Sequence, residues 1–355
     1  MEFAGKADAP KATDGKKERV IPFDKKATVC GECVVLEDIV EEKEAVAPVD
    51  RLLIPSDIVE IKDDDEAIYI IGTREGKVTK IRGLENVKQL KSLVLRSCLI
   101  SQMEGIEHLT LLDKLELYDN HIEVIQGIDA MSNLTILDLS FNSIREMVPL
   151  GGCCPLLQEL YVAQNKLRRI EGLEGLVHLR TLDLGANRIR VIEGLETCTG
   201  LQSLWLGKNK IEVIAGLSTN TQLRQLDIQN NRLTQLGDGL QGLSELSELY
   251  LAWNAIENVQ GLPSPSKLNT VDLGTNKLNS LEGVEQHTTL EELWLSSSLL
   301  ETFDSLTPLT KLPGLKCLYL EHSPIAKDFE YRKTTTRMIL TLEQLDATRV
   351  SRENL

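Results

Sequence analysis

The sequence predicts an α/β repeat solenoid, and three observations predict it. Asparagines recur at a fixed interval, the same spaced leucines precede each one, and the apolar content is built from leucine rather than from rings. Asn120, Asn142, Asn165, Asn187, Asn209, Asn231, Asn254 and Asn276 stand 22 or 23 residues apart. The frame before each is L-x-x-L-x-L-x-x-N, as in "LTILDLSFNSI", "LRTLDLGANRI" and "LSELYLAWNAI". Aromatics are 4% of the 355 residues against 42% apolar overall, which suits a repetitive core better than a ring-filled one.

Residues 1–60 come first and lack the repeat. Their segments "DAPKATDGKKER" and "VEEKEAVAPVD", like "KDDDEA" just after them, are charged and poor in apolar side chains, so they read as a mostly disordered tail, with "VVLEDIV" as a local turn of structure. Residues 61–324 read as the solenoid. It opens with a degenerate unit, "AIYIIGTREGKVTKIRGLENVKQL", and continues through eleven strand frames from Leu90 to Ser323. Cys98, Ser298 and Ser323 stand in the asparagine slot of three of them. Residues 325–355 break the period. There Met338, Ile339, Leu342 and Leu345 suit a short helix and a final turn that seal the last unit.

This is the leucine-rich repeat pattern, in 22-residue units. Each x-L-x-L-x stretch is one short strand whose leucine face cannot be buried alone. Stacking the units side by side buries the leucines in one continuous core and lines a concave face with parallel strands. The asparagine lies where the chain turns inward, and its amide can satisfy backbone groups of its own and the adjacent turn. Short 3₁₀ or helical turns on the convex side carry the Gly-Leu half of the unit, such as Gly172-Leu173 and Gly194-Leu195.

Between the two core leucines of each strand sits a residue that must face the other way. Numbering the frame from its first leucine, this is place 5. Along the chain it is Val94, Glu116, Asp138, Tyr161, Asp183, Trp205, Asp227, Tyr250, Asp272, Trp294 and Tyr319. From Glu116 onward every member is acidic or aromatic. Aspartate is a poor strand former, and an exposed tryptophan carries a hydrophobic cost, so both need a reason. Ten such residues, one per strand at about 4.8 Å, span roughly 40 Å of the face. Place 7 is often small (Ser140, Ala163, Gly185, Gly207, Ala252, Gly274), and place 3 adds Glu159, Glu248 and Glu292. Rings can brace a sheet surface, but rings interleaved with carboxylates suit Arg or Lys laid along a ring. The expected partner is a folded protein with basic residues along a convex surface.

The formal charge of −15 argues against nucleic acid or an anionic membrane as the main partner. No stretch approaches the length of a membrane-spanning helix, and "MEFAGKADAPKATDGKK" lacks the apolar run of a secretory leader. Seven scattered cysteines point to a reducing compartment. Cys30 and Cys33 form a lone C-x-x-C with no second pair for zinc and no redox-fold context. Cys153-Cys154 lies in a variant turn between units. The five histidines share no ligand spacing, and the place-5 aspartates sit two strands apart with a ring between, so no carboxylate pair converges. We expect no enzyme, no cofactor and no metal. "RVIPF" (Arg19–Phe23) approximates a basic-x-Val/Ile-x-Phe phosphatase-docking motif. Pro22 lacks the backbone donor an added strand needs, so it counts as incidental.

The units "LELYDN", "LDLSFN" and "LWLGKNKI", followed by "YLEHSPIAKDFEYR" and "LEQLDA", resemble in order those of the leucine-rich repeat regulatory subunit of protein phosphatase 1, the regulatory subunit 7 family. The resemblance covers about residues 60–350. It implies that the concave acidic and aromatic residues hold the phosphatase catalytic subunit. Carried over by position, the contacts are Asp138, Tyr161, Asp183, Trp205, Asp272, Glu292, Trp294 and Tyr319. Glu116, Asp227 and Tyr250 join them as members of the same row. Tyr161 and Trp205 stand where that family often has Phe, which keeps the ring. The resemblance further implies control of phosphatase activity, maturation or localisation in nucleus and cytoplasm. It also implies a small inhibitor protein as third member and a monomer when free. The alternative is a scaffold in another intracellular assembly, of the spliceosomal or axonemal kind.

Overall fold

The computed structural model describes residues 53–351, apart from 75 and 264–266. Cys30, Cys33 and the Arg19–Phe23 stretch therefore lie outside the described residues, as does the tail as far as residue 52. Among the described residues fourteen strands form one sheet in sequence order. They are β1 (Ala67–Ile71), β2 (Ser92–Arg96), β3 (Lys114–Glu116), β4 (Ile136–Asp138), β5 (Glu159–Tyr161), β6 (Thr181–Asp183), β7 (Ser203–Trp205), β8 (Gln225–Asp227), β9 (Glu248–Tyr250), β10 (Thr270–Asp272), β11 (Glu292–Trp294), β12 (Cys317–Tyr319), β13 (Gln344–Leu345) and β14 (Thr348–Arg349). The eleven frames read from the sequence are β2 to β12. Every neighbouring pair from β1 to β13 is parallel, and β14 turns back antiparallel on β13.

The core is the pair of leucine rows. Leu204 and Leu206 are fully buried, as are their counterparts Leu160, Leu182, Leu226 and Leu249 in neighbouring strands. Most units need nothing more than a bare turn on the convex side. Among the described residues of the solenoid, 3₁₀ helix is confined to Val284–Gln286 and Phe303–Lys311, with one further turn, Pro324–Lys327, opening the cap. The convex side thus carries short turns and little helix, as expected, because a 22-residue period leaves too few residues to wind a stable helix after the strand and both bends. The Gly-Leu signature has a steric cause here. Gly194 has φ +71°, and a β-carbon on it would stand 2.6 Å from the carbonyl oxygen of Ile170 in the preceding unit. Units can stack at strand spacing only if that atom is missing.

The asparagines work as a ladder. Asn209 Nδ2 donates to Leu184 O in the unit before (2.9 Å) and to Leu206 O in its own (3.0 Å), while its Oδ1 accepts from Ile189 N (2.9 Å). Asn142, Asn187 and Asn231 repeat the same set. Where serine replaces asparagine, the function is split. Ser323 Oγ lies 2.9 Å from Ser298 Oγ, accepts from Ser298 N at 3.1 Å and donates to Leu295 O at 3.3 Å. Asp346 closes the ladder, its Oδ1 accepting from Leu320 N and Glu321 N at 2.8 and 3.0 Å.

Both ends are covered. The cap helix α2 (Tyr331–Met338) follows the last full unit, with Ile339, Leu342 and Leu345 buried behind it. Tyr331 Oη donates to Asp346 Oδ2 at 3.0 Å, and Arg332 donates to the carbonyls of Leu345, Thr348 and Arg349. At the other end, residues inside the stretch assigned to the tail already belong to the fold. Leu53 bridges to Val78 and accepts from Thr79 N at 2.9 Å, and a single turn, α1 (Pro55–Ile58), buries Pro55. Ile58, Val59 and Ile61 pack against the core, covering a first unit that would otherwise expose its apolar side. Among the described residues no helix is long and apolar enough to cross a membrane.

Candidate functional site

The strand register puts every place-5 residue on one line. Glu116 pairs with Asp138, Asp138 with Tyr161, Tyr161 with Asp183, and Asp183 with Trp205. The line continues through Asp227, Tyr250, Asp272, Trp294 and Tyr319 without a skipped strand. Trp205 is partly exposed between two leucines that see no solvent, so the rings lie on the sheet's outer surface and not among the leucines.

The aspartates have a local task as well. Asp138, Asp183, Asp227 and Asp272 each accept the backbone N–H two residues on, from Ser140, Gly185, Gln229 and Gly274, at 2.8–2.9 Å. Each strand is only three residues long, so that N–H lies past the ladder and the carboxylate replaces the missing acceptor. The charge is nonetheless poorly solvated. Burial raises the carboxyls of Asp138, Asp183 and Asp227 above the ordinary range, against the pull of these backbone bonds. Burial pushes Asp272 furthest, up to about 6, with added repulsion from Asp227.

The reason lies in the rings. Tyr250 and Trp294 flank Asp272 two strands apart, a separation of roughly 9.6 Å. Yet their ring centroids are 6.4 Å apart, and Trp294 meets Tyr319 edge-on at 6.0 Å. The rings lean together over the strand that carries Asp272, which is left 9% exposed. The indole Nε1–H of Trp294 is shut off from solvent without an acceptor. Tyr161 donates its hydroxyl to Glu159 (2.9 Å) and Tyr250 to Glu248 (2.8 Å), so these place-3 acids are tied to the row. Burial first, then these glutamates, holds both phenols well above their usual range. Glu292 is half-buried on β11, and Tyr319 Oη accepts from Gln344 Nε2 at 2.7 Å.

Glu116 differs from the rest. Its carboxylate is already held by the chain's own cations: Arg96 Nε at 2.8 Å, Arg96 Nη2 at 2.6 Å and Lys114 Nζ at 2.7 Å. The Arg96 guanidinium also lies 5.6 Å from the centre of the Tyr118 ring. Fork on a carboxylate and face on a ring is the arrangement the row was expected to offer a guest.

Reading the place-5 column missed a second set of rings. Phe141 and Trp253, at place 8, are 43% and 48% exposed, and Tyr118 packs on Phe141 at 4.8 Å. Place 8 is left-handed in every full unit, with φ +58° at both Phe141 and Trp253. For a residue with a β-carbon this conformation costs about 1–2 kcal/mol. The place-8 column, read down the chain like the other, carries the signal.

Two other features carry less. A groove of about 500 Å³ bordered by Thr302, Phe303, Pro324 and Asp328 lies at the cap, away from the row. Among the described residues no group of three or more His, Cys, Asp and Glu side chains is placed to hold a metal ion.

Comparison with known proteins agrees with this architecture. Family models for leucine-rich repeats match residues 133–154, 155–197 and 199–245, so the chain carries leucine-rich repeats. A curated relative, protein phosphatase 1 regulatory subunit pprA of Dictyostelium discoideum, is 43% identical over 74 residues. That stretch is 21% of this chain and 21% of the relative, so the match spans about a fifth of either protein. An internalin (InlF) of Listeria monocytogenes superimposes with a TM-score of 0.66 at 21% identity, over 80% of this chain and 87% of its own. A leucine-rich repeat protein of Leptospira interrogans gives 0.60 at 22% identity, over 76% and 75%. These two share the fold.

Proposed function

We propose that this protein is a noncatalytic regulatory subunit that seats the catalytic subunit of a type 1 Ser/Thr protein phosphatase on its concave face. The observation that carries the reading is the unbroken line of carboxylates and rings from Asp138 to Tyr319. Such a line fits a folded guest with arginines and lysines on a convex surface, and hot-spot aromatics belong at the centre of an interface. Arg96 on Glu116 and Tyr118 is, within the chain, an arrangement of the kind proposed for a guest arginine. The 43% identity to a phosphatase regulatory subunit supports the choice of guest. In this reading Glu116 anchors the end of the row through its own cations. Asp138, Tyr161, Asp183, Trp205, Asp227, Tyr250, Asp272, Glu292, Trp294 and Tyr319 face the guest. The complex acts in nucleus and cytoplasm, and a small inhibitor protein joins it as third member.

The test is binding of purified phosphatase catalytic subunit to the wild type and to a Trp205→Ala, Trp294→Ala double variant. A loss of several kcal/mol is expected if both rings are hot spots, with the fold intact. Undiminished affinity refutes the site. A wild type that ignores the phosphatase but copurifies with another assembly leaves the scaffold reading in its place.

A further inference from the structure

We propose that Phe141 and Trp253 form a second line of contact along one rim of the concave face, gripping the same basic guest that the place-5 row seats. The proposal rests on the phosphatase reading above and adds residues to it.

Two local penalties meet at these positions with little local return. The backbone is left-handed at place 8 throughout the array, and most units answer with small or polar residues: Ser97, Asp119, Ala186, Asn230, Thr275. Asparagine tolerates this region best among residues with a side chain, and Asn230 shows that the array accepts it. Phe141 and Trp253 place bulky rings there instead, and each ring remains nearly half exposed. Phe141 rests on Tyr118, but among the described residues no ring lies against Trp253. A ring kept where the backbone resists it and the core gains nothing from it marks a contact surface.

Placement names the guest. Phe141 follows Asp138 by three residues in the same unit. Trp253 belongs to the unit stacked between those of Asp227 and Asp272. At place 7 beside them stand the small residues Ser140, Ala252 and Gly274, with Gln229 and Tyr118 at the same place in neighbouring units. A guest cation entering there has an acid on one side and a ring on the other, as Arg96 has with Glu116 and Tyr118. Both rim residues are pinned to the next unit, Phe141 N donating to Ala163 O at 2.8 Å and Trp253 N to Gly274 O at 2.9 Å. Their backbone is therefore fixed before the guest arrives. Five units separate them, about 24 Å, which is the width of a folded domain's face and beyond the reach of one side chain. The occupant is a globular protein with two basic-and-apolar points of contact that far apart.

The experiment compares Phe141→Asn, Trp253→Asn and their double with the wild type and with the Trp205→Ala, Trp294→Ala variant. Each is melted thermally and titrated with purified phosphatase catalytic subunit. The expected result is a melting temperature equal to or above wild type for both rim variants, with affinity reduced about tenfold for each, the scale of an aromatic hot spot. Unchanged affinity in the rim variants, while the row variant fails to bind, overturns the rim assignment and leaves the phosphatase reading standing. A melting temperature lowered by several degrees also overturns it, because the rings then serve the fold. A wild type that does not bind the phosphatase removes both proposals together.

Discussion

Asp272 accepts the backbone N–H of Gly274 at 2.9 Å while Tyr250 and Trp294, on the strands either side, lean to within 6.4 Å of each other. A charge sits where folding alone would place a neutral acceptor. An asparagine would keep the bond to Gly274 and remove the desolvated charge.

The first prediction follows from that conflict. Burial raises the Asp272 carboxyl from 3.8 to about 6, so the charged form is disfavoured in the folded state. Its contribution to stability is fully present below the unfolded pKa and is lost as pH rises through the folded one. Across that window the loss is on the order of 2–3 kcal/mol. Asp272→Asn is expected to raise stability at pH 7.5 by up to that amount and to change it little at pH 4. Urea unfolding of both proteins at the two pH values checks this, read as the difference between them. A variant less stable than wild type at pH 7.5 contradicts the assignment.

Sequence neighbours should behave oppositely. Leu204 is fully buried and Trp205 points away from it, so Leu204→Ala is expected to cost about 3–4 kcal/mol. Trp205→Ala, although it removes far more atoms, should cost about 1 kcal/mol or less, the scale of a change at a surface position. Equilibrium denaturation of the two single variants decides it, and a larger loss at Trp205 would place that ring in the core.

That contrast also shows what the sequence could and could not disclose. The place-5 row was legible because two periods cross there. The alternation of two sets the face, the interval of 22 sets the unit, and neither depends on side-chain detail. The local partners were not legible. Nothing in the pattern says that Asp183 accepts Gly185 N–H, because that bond arises from how soon the strand ends. Likewise Arg96 reaches Glu116 across a strand boundary, which removes one acid from the free set. The cover beginning at Leu53 escaped for a different reason: one bridge and a single helical turn carry too little periodicity to register.

The ladder gives a third prediction. Asn209 joins two units through Leu184 O, Leu206 O and Ile189 N, all buried. Asn209→Ala leaves Ile189 N without its acceptor, while Leu184 O and Leu206 O keep their bonds from Asn187 and Asn231, and is expected to cost about 1–3 kcal/mol. Asn209→Ser should recover part of it, since Ser323 bonds one carbonyl and one N–H in the equivalent slot. Thermal or urea unfolding of the three proteins tests the order, and equal stabilities would mean the ladder adds nothing.

A fourth prediction joins the electrostatics to the proposed guest. Near pH 6 Asp272 is about half protonated in the free protein, whereas a guest arginine or lysine set against it favours the charged form. Binding should therefore release protons in this range, and affinity should fall as pH drops from 7.5 through 6. Asp138, Asp183 and Asp227 are raised for the same first cause and add to the fall at lower pH. Calorimetric titration of the phosphatase at pH 6, in two buffers of different ionisation enthalpy, measures the protons released. Asp272→Asn should reduce that number and weaken binding at pH 7.5, even as it strengthens the fold. The two effects having opposite signs is the decisive feature: a residue placed for the fold alone would lose stability when replaced, and one placed for a cationic guest gains stability while the complex loses it. Proton release identical in wild type and variant would show that the guest does not reach this part of the row.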